Sequence, residues 1–241
     1  MKARTLLAPL AVAGAVLAAS SFTATSTHAQ NCSHTIGSVL SLTGAYGTFG
    51  VPISRVAELA VSQVNEARAN MGVGCDLKYE VRDSQTQPTV AVDAAQKLID
   101  IEGVQAIVGP ISSGITGPLL TSVTVQKGAV VIATASTSTT FTNMAREGKT
   151  KGLFFRTLPA DSLQAVATAK MAHDAGFRKV AIIHLNNDWG KNNQAEFIRA
   201  FKALGGGIGN VDPAADQNGV VAVGFLKIAV RFEHGPSRAS R

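Results

Sequence analysis

Short apolar runs and helix-spaced segments take turns along this chain from Thr35 onward, and that order leaves few architectures open. The run TIGSVLSL (35–42) reads as a buried strand. From Val51 to about Met71, apolar residues recur at Ile53, Val56, Leu59, Ala60, Val64 and Ala67, which is helical spacing. LKYEVRD (77–83) alternates strictly between apolar and charged residues, the pattern of a half-buried strand at or near a sheet edge. Pro88 opens a helix to about Asp100, with Val90, Val92, Ala95 and Leu98 facing inward.

The same alternation continues through a strand at 104–109, a helix over Gly117–Lys127 and a strand at 129–134. Further strands are expected at 152–158 and 179–185, and further helices at 162–176 and from about Asn192 to Leu204. Alternating β and α units imply an α/β fold on parallel sheets. Ligands then sit beyond the carboxyl ends of the strands, where the strand order switches. After Leu204 the periodicity stops. VVAVGFLKIAV is compatible with one more strand, and RFEHGPSRASR has almost nothing to bury.

The N-terminus has a different character. Lys2 and Arg4 precede a 14-residue apolar run, Leu6 to Ala19, and a polar stretch ends in THAQ with Thr27 and Ala29 as a small-residue pair. This is the layout of a secretory signal over residues 1–29, cleaved after Ala29. A membrane span needs about 20 apolar residues, so the run is too short to be an anchor.

Export bears on both charge and cysteine. The net charge of +6 is concentrated at the two ends, in Lys2, Arg4 and the tail from Lys227 to Arg241. The remaining body is close to neutral and shows no basic stripe for nucleic acid. The two cysteines, Cys32 and Cys75, each precede an expected strand, and in an exported chain an even count implies a disulfide. No further cysteine or histidine pair completes a zinc site.

Three strand-end loops are rich in small hydroxyl residues: Ser41–Gly44, Gly109–Gly114 and Ala133–Ser138. The middle loop leads into a helix, where Ser or Thr caps the free N–H groups and the dipole attracts an anion. The glycines of SLTGAYGTFG follow GxxGxxG, not a nucleotide fingerprint, and no GxxxxGK[ST] occurs. GPISSG is not GxSxG, the histidines form no HExxH, and His184 sits in an apolar strand as a core histidine would. Asp83 ends a strand, where Asp-Ser initiates a turn. No reaction centre is visible, so an exported enzyme would need an active site of unrecognised type, and no cofactor is implied.

The blocks IGSVLSLTGAYGTFG, VRDSQTQPTVAVDAAQKLI, VQAIVGPISSGIT, FFRTLPADSLQAVA and VAIIHLNNDWG occur in order between Thr35 and Gly206. Together they resemble the periplasmic amino-acid-binding proteins of the leucine/isoleucine/valine type, which feed ABC importers. The resemblance implies a type I periplasmic binding protein with Rossmann-like lobes on parallel sheets: lobe 1 at 30–155, part of lobe 2 at 156–206, then an atypical tail at 207–241. It implies a monomeric periplasmic protein that is no enzyme, takes an amino acid or related amide or carboxylate, and delivers it to a permease. By position, Ser113 would hold the ligand carboxylate, the Ala135 carbonyl its ammonium, and Thr137 its charged end. Phe49 would wall the cleft and Trp189 would cover it. Family chains continue past the point where the likeness fades, so the resemblance implies an incomplete second lobe. The alternative outcome is a fragment that binds nothing.

Overall fold

The computed structural model describes residues 33–213 and 227–229. The expected signal at residues 1–29, Cys32 and the basic ending lie outside the described residues. Two sheets follow one another along the chain. The first contains β1 (Ser33–Leu40), β2 (Asp76–Asp83), β3 (Ala106–Val108), β4 (Val130–Ala133) and β5 (Phe154–Arg156), in the order β2-β1-β3-β4-β5. All of its pairings are parallel. The alternating strand β2 lies at the sheet edge, as its pattern predicts.

The order reverses at β1, since the chain leaves β1 toward β2 and then returns past it to β3. Right-handed crossovers therefore put α1 (Gly47–Asn70) and α2 (Pro88–Asp100) on opposite faces. The α2 face is well covered. Ala91, Ala94, Ala95 and Leu98 of α2 pack with Val39, Ile107 and Val131 of the sheet and with Ile115, Leu119, Leu120 and Phe141. Val90 and Val92 are only half-buried, so the inward stripe is centred about one residue from the expected one.

On the other face, α1 turns its small and polar side inward. Only Gly50 and Ser54 are buried, and the Asn65 amide hydrogen-bonds both backbone groups of Leu77 on β2, donating to its carbonyl at 2.9 Å and accepting from its N–H at 2.8 Å. Arg68 Nε donates to the Cys75 carbonyl at 2.6 Å. These bonds protect an edge strand that would otherwise offer free backbone groups. The apolar stripe that predicts the helix is left facing outward, with Val56 66% and Leu59 57% exposed. Ile132 and Phe155 on the same side of the sheet are exposed as well.

The middle helix begins earlier than expected. It runs as α3 (Ser113–Leu119), a π-helical turn at Leu120–Thr124 and α4 (Val125–Lys127). Pro118 removes one helical donor just before the turn widens. α5 (Thr139–Arg146) follows β4, and β5 then hands the chain to the second sheet.

That sheet has the order β7-β6-β8, from β6 (Lys179–His184), β7 (Gly207–Pro213) and β8 (Lys227–Ala229). β7 is parallel to β6 and β8 antiparallel, so the sheet is mixed and continues beyond Gly206. α6 (Asp161–Asp174) and α7 (Asp188–Ala203) pack on it through Ala165, Ala169, Phe197 and Phe201, with Val180 and Ile182 from β6. The Phe197 and Phe201 rings stack at 5.5 Å. No helix among the described residues is long and apolar enough to cross a membrane.

Candidate functional site

The loops that follow β1, β2, β3 and β4 gather at the carboxyl end of the first sheet and are bound to one another. The turn after β1 is organised by Asp83, whose carboxylate accepts from the backbone N–H of Leu42 at 2.9 Å and of Thr43 at 3.2 Å, and from the Thr43 hydroxyl at 2.6 Å. It also accepts from the Gln85 N–H at 2.8 Å, the Asp-Ser turn expected at this position. Burial alone would raise this carboxyl; the hydrogen bonds from Thr43, Gln85 and Leu42 outweigh it and hold it below the usual aspartate range. Beneath it the buried Ser41 and Ser84 hydroxyls pair at 3.0 Å.

The β3 and β4 loops are locked by serines. The Ser136 hydroxyl lies 2.6 Å from Thr116 Oγ1 and donates toward the Pro110 and Ile111 carbonyls at 3.3 Å. Ser113 Oγ accepts from the Ser138 N–H at 3.3 Å, and Ser113 itself is buried. Ser112, the residue before α3, makes no side-chain capping bond. The capping expected of this loop is therefore not made by its side chain. Ser138 does cap α5, accepting from the Thr140 N–H at 3.2 Å.

Facing these loops is the start of α7. Asn187 caps it by accepting from the Gly190 N–H at 2.9 Å. Trp189 is thus the second residue of a helix rather than part of a loop beyond β6, because α7 starts four residues before the expected Asn192. Phe49 is likewise inside a helix, since α1 begins at Gly47 after a 3-10 turn at Gly44–Tyr46, not near Val51. In both helices a glycine allows the early start. An added Cβ on Gly50 would lie 1.9 Å from the Ser41 carbonyl oxygen, and one on Gly190 2.1 Å from that of Leu185.

The two halves touch across this region. The Asn192 side-chain oxygen accepts from the N–H and the hydroxyl of Thr139, both at 2.9 Å. Thr140 Oγ1 reaches Asp188 at 3.4 Å. Tyr46 shares a side-chain hydrogen bond with Asn187; burial raises its phenol and that bond partly offsets the rise. At the crossing itself, the Asp161 N–H donates to the Thr137 carbonyl at 2.9 Å. Burial pushes the Asp161 carboxyl up, and the neighbouring donors of Thr137, Trp189 and Asn193, with the Arg156 charge, draw it partly back.

Four of the five expected site residues therefore join one connected set. Ser113 is tied to Ser138, Thr137 to Asp161, and Trp189 stands beside Asp161. Phe49 enters through Tyr46, its ring 6.4 Å away and tilted by 50°. Ala135 lies half-buried between Thr134 and the locked Ser136. Sequence reasoning missed Tyr46, Asp161, Asn187 and Asn193. The signal for Asp161 and Asn187 is present, since each stands where a helix opens, but a capping role explains such residues without any site. His184 is half-buried, with Nδ1 2.9 Å from the Leu185 carbonyl. Among the described residues no cluster of three or more His, Cys, Asp or Glu is arranged to hold a metal.

Comparison with known proteins agrees with this architecture. The family model described as periplasmic binding protein matches residues 33–223. The chain is 34% identical over 163 residues to the chemotactic signal transduction system substrate-binding protein BasB of Halobacterium salinarum, covering 65% of this chain and 38% of BasB. It is 30% identical over 180 residues to the Leu/Ile/Val-binding protein BraC3 of Rhizobium johnstonii, covering 73% and 46%. The chain thus spans less than half the length of these curated relatives. Among solved structures, an R. palustris solute-binding protein in complex with 4-hydroxybenzoate superposes with a TM-score of 0.64 at 20% identity, over 76% of this chain and 47% of that one. A Desulfitobacterium hafniense substrate-binding protein in complex with Leu gives 0.58 at 24%, over 76% and 51%. With the strand order, the two sheets and the family match in agreement, the chain belongs to the periplasmic binding protein family, alongside the Leu/Ile/Val-binding proteins.

Proposed function

We propose that this chain is an exported solute-binding protein that takes an amino acid or a related small amide or carboxylate between its two sheet domains, for delivery to an ABC permease. The observation that carries the reading is the set of hydrogen bonds joining the first-sheet loops to the start of α7, through Thr139, Thr140 and Tyr46. Hinged lobes of this kind close on a ligand by making such contacts. In this reading the signal occupies residues 1–29, lobe 1 runs over 30–155 and lobe 2 starts at 156. Ser113 and the helical run behind it address a carboxylate, Ala135 and Thr137 address the polar end, and Phe49 and Trp189 cover the apolar part. The protein acts as a monomer in the periplasm.

Thermal unfolding of the exported chain with a panel of L-amino acids and 4-hydroxybenzoate tests this. A true ligand at about 100 times its Kd adds about 2.7 kcal/mol to stability and raises the midpoint. The double variant Ser113→Ala/Thr137→Ala should lose that rise. A rise that persists in the double variant removes the site assignment, and no rise with any compound removes the function.

Export also bears on Cys32 and Cys75. Ser33 is in register with Asp76, and each directly follows a cysteine. Neighbouring strands lie about 4.8 Å apart, within the Cα separation a disulfide spans. We propose that the two cysteines are bonded in the exported protein. Alkylation followed by intact mass should show no modified thiol until the protein is reduced and unfolded; labelling of native protein without reductant would contradict it.

A further inference from the structure

Asp161 is an expensive residue in an unexpected place. It opens α6 immediately after the chain leaves β5, only 2% of it is exposed, and its Oδ2 is buried without a hydrogen-bond partner. Asn193 Nδ2 beside it is also buried and unpaired. Arg156 supplies the opposite charge, while its Nη groups donate to the Ser136 and Ser138 carbonyls and the Thr142 hydroxyl.

A carboxylate in the first turn of a helix is favourable through the dipole, yet an exposed one gains that without desolvation. A buried carboxylate with an unpaired oxygen costs stability. What the fold obtains for it is position. The backbone N–H of Asp161 holds the Thr137 carbonyl from the first domain, and its carboxyl lies among the donors of Thr137 and of Trp189 from α7. One residue thus meets both halves at the point where they are joined.

We propose that Asp161 is a positioning residue that sets the Thr137 hydroxyl and the Trp189 indole against each other across the junction, so that a ligand meets both in fixed orientation. The proposal rests on the solute-binding reading for its affinity consequence, but not for its effect on Trp189. The chain contains one tryptophan, so emission excited at wavelengths beyond the tyrosine absorption band reports Trp189 alone.

The test uses the exported chain and its Asp161→Ala and Asp161→Asn variants, with Asp174→Asn, an exposed acid on the same helix, as control. Without ligand, Asp161→Ala should change the Trp189 emission, and Asp161→Asn, which keeps an acceptor, should restore it. Because burial raises the Asp161 carboxyl, its contribution to stability is present at acid pH and lost as pH rises through the folded value. At pH 7 Asp161→Asn should therefore melt no lower than wild type.

Titrated with L-leucine and with 4-hydroxybenzoate, the Ala variant should bind whichever compound the wild type binds about tenfold more weakly, the size of one lost hydrogen bond. Wild-type emission in the Ala variant, or affinity within about twofold, overturns the proposal. Should the Ala variant not fold, an Asn variant that melts below wild type overturns it instead. A wild type that binds neither compound counts against the proposed function, while the ligand-free emission still decides the role of Asp161.

Discussion

Substituting alanine at Gly50 is expected to lower stability by about 3 kcal/mol, at the upper end of overpacking effects. The added Cβ would lie 1.9 Å from the Ser41 oxygen and 2.5 Å from its carbonyl carbon. Both are backbone atoms, so no side chain can rotate to make room. Either α1 moves away from the sheet or the β1 turn does. The second movement would disturb the Ser41–Ser84 pair and, through it, the loop that Asp83 holds. For a domain of this size the loss corresponds to a fall of about 6–12 °C in midpoint, measurable by circular dichroism. Gly148→Ala serves as the comparison, since its φ is +72° but nothing lies within 4 Å of a Cβ there. That change should cost only about 1 kcal/mol of backbone strain. Equal melting of the two variants would show that close approach at Gly50 is not limiting.

Phe141→Ala should be still more damaging, at about 3–5 kcal/mol. The ring is fully buried, lies 5.0 Å from Phe154 and closes the core formed by α2, α3 and the sheet. Against a typical total of about 5–15 kcal/mol, this removes a large share of the stability of the first domain. Urea titration gives the value directly, through the midpoint at an unchanged slope. Phe155→Ala, one residue beyond Phe154, is the contrast. Phe155 is 54% exposed, and its removal should change stability by no more than about 0.5 kcal/mol. A large loss at Phe155 would mean that the outer face of the sheet is covered in solution.

These two cases show why local pattern located the elements better than their faces. The stripe Ile53, Val56, Leu59, Ala60, Val64 and Ala67 correctly implies a helix, because periodicity is a property of the helix itself. It does not say what the stripe packs on. In the described residues α1 meets β2 through Asn65 and Arg68, and the stripe faces away. Helix starts were misplaced for a related reason. α1 and α7 begin before the expected residues because Gly50 and Gly190 let the helix approach the backbone of the preceding loop. A glycine in a sequence reads as a turn until the atoms that crowd it are known.

The candidate site divides the same way. The hydroxyl-rich loops after β1, β3 and β4 were legible because strand–loop–helix order places them at one end of one sheet. Ser113, Ala135, Thr137, Phe49 and Trp189 followed from resemblance at matching positions. Asp161, Asn187 and Tyr46 had no such signal, since a polar residue at a helix start is ordinary.

The amino-acid sequence by itself determined the α/β class, the edge placement of β2 and the family, because these depend on alternation, periodicity and the order of motifs along the chain. Tertiary structure alone decided that β8 runs antiparallel to β6, that the apolar stripe of α1 faces outward and that a buried carboxylate stands between Thr137 and Trp189. Each of these depends on residues from different elements of the chain meeting in space. Burial, pairing and crowding are properties of those meetings, and no segment carries them alone.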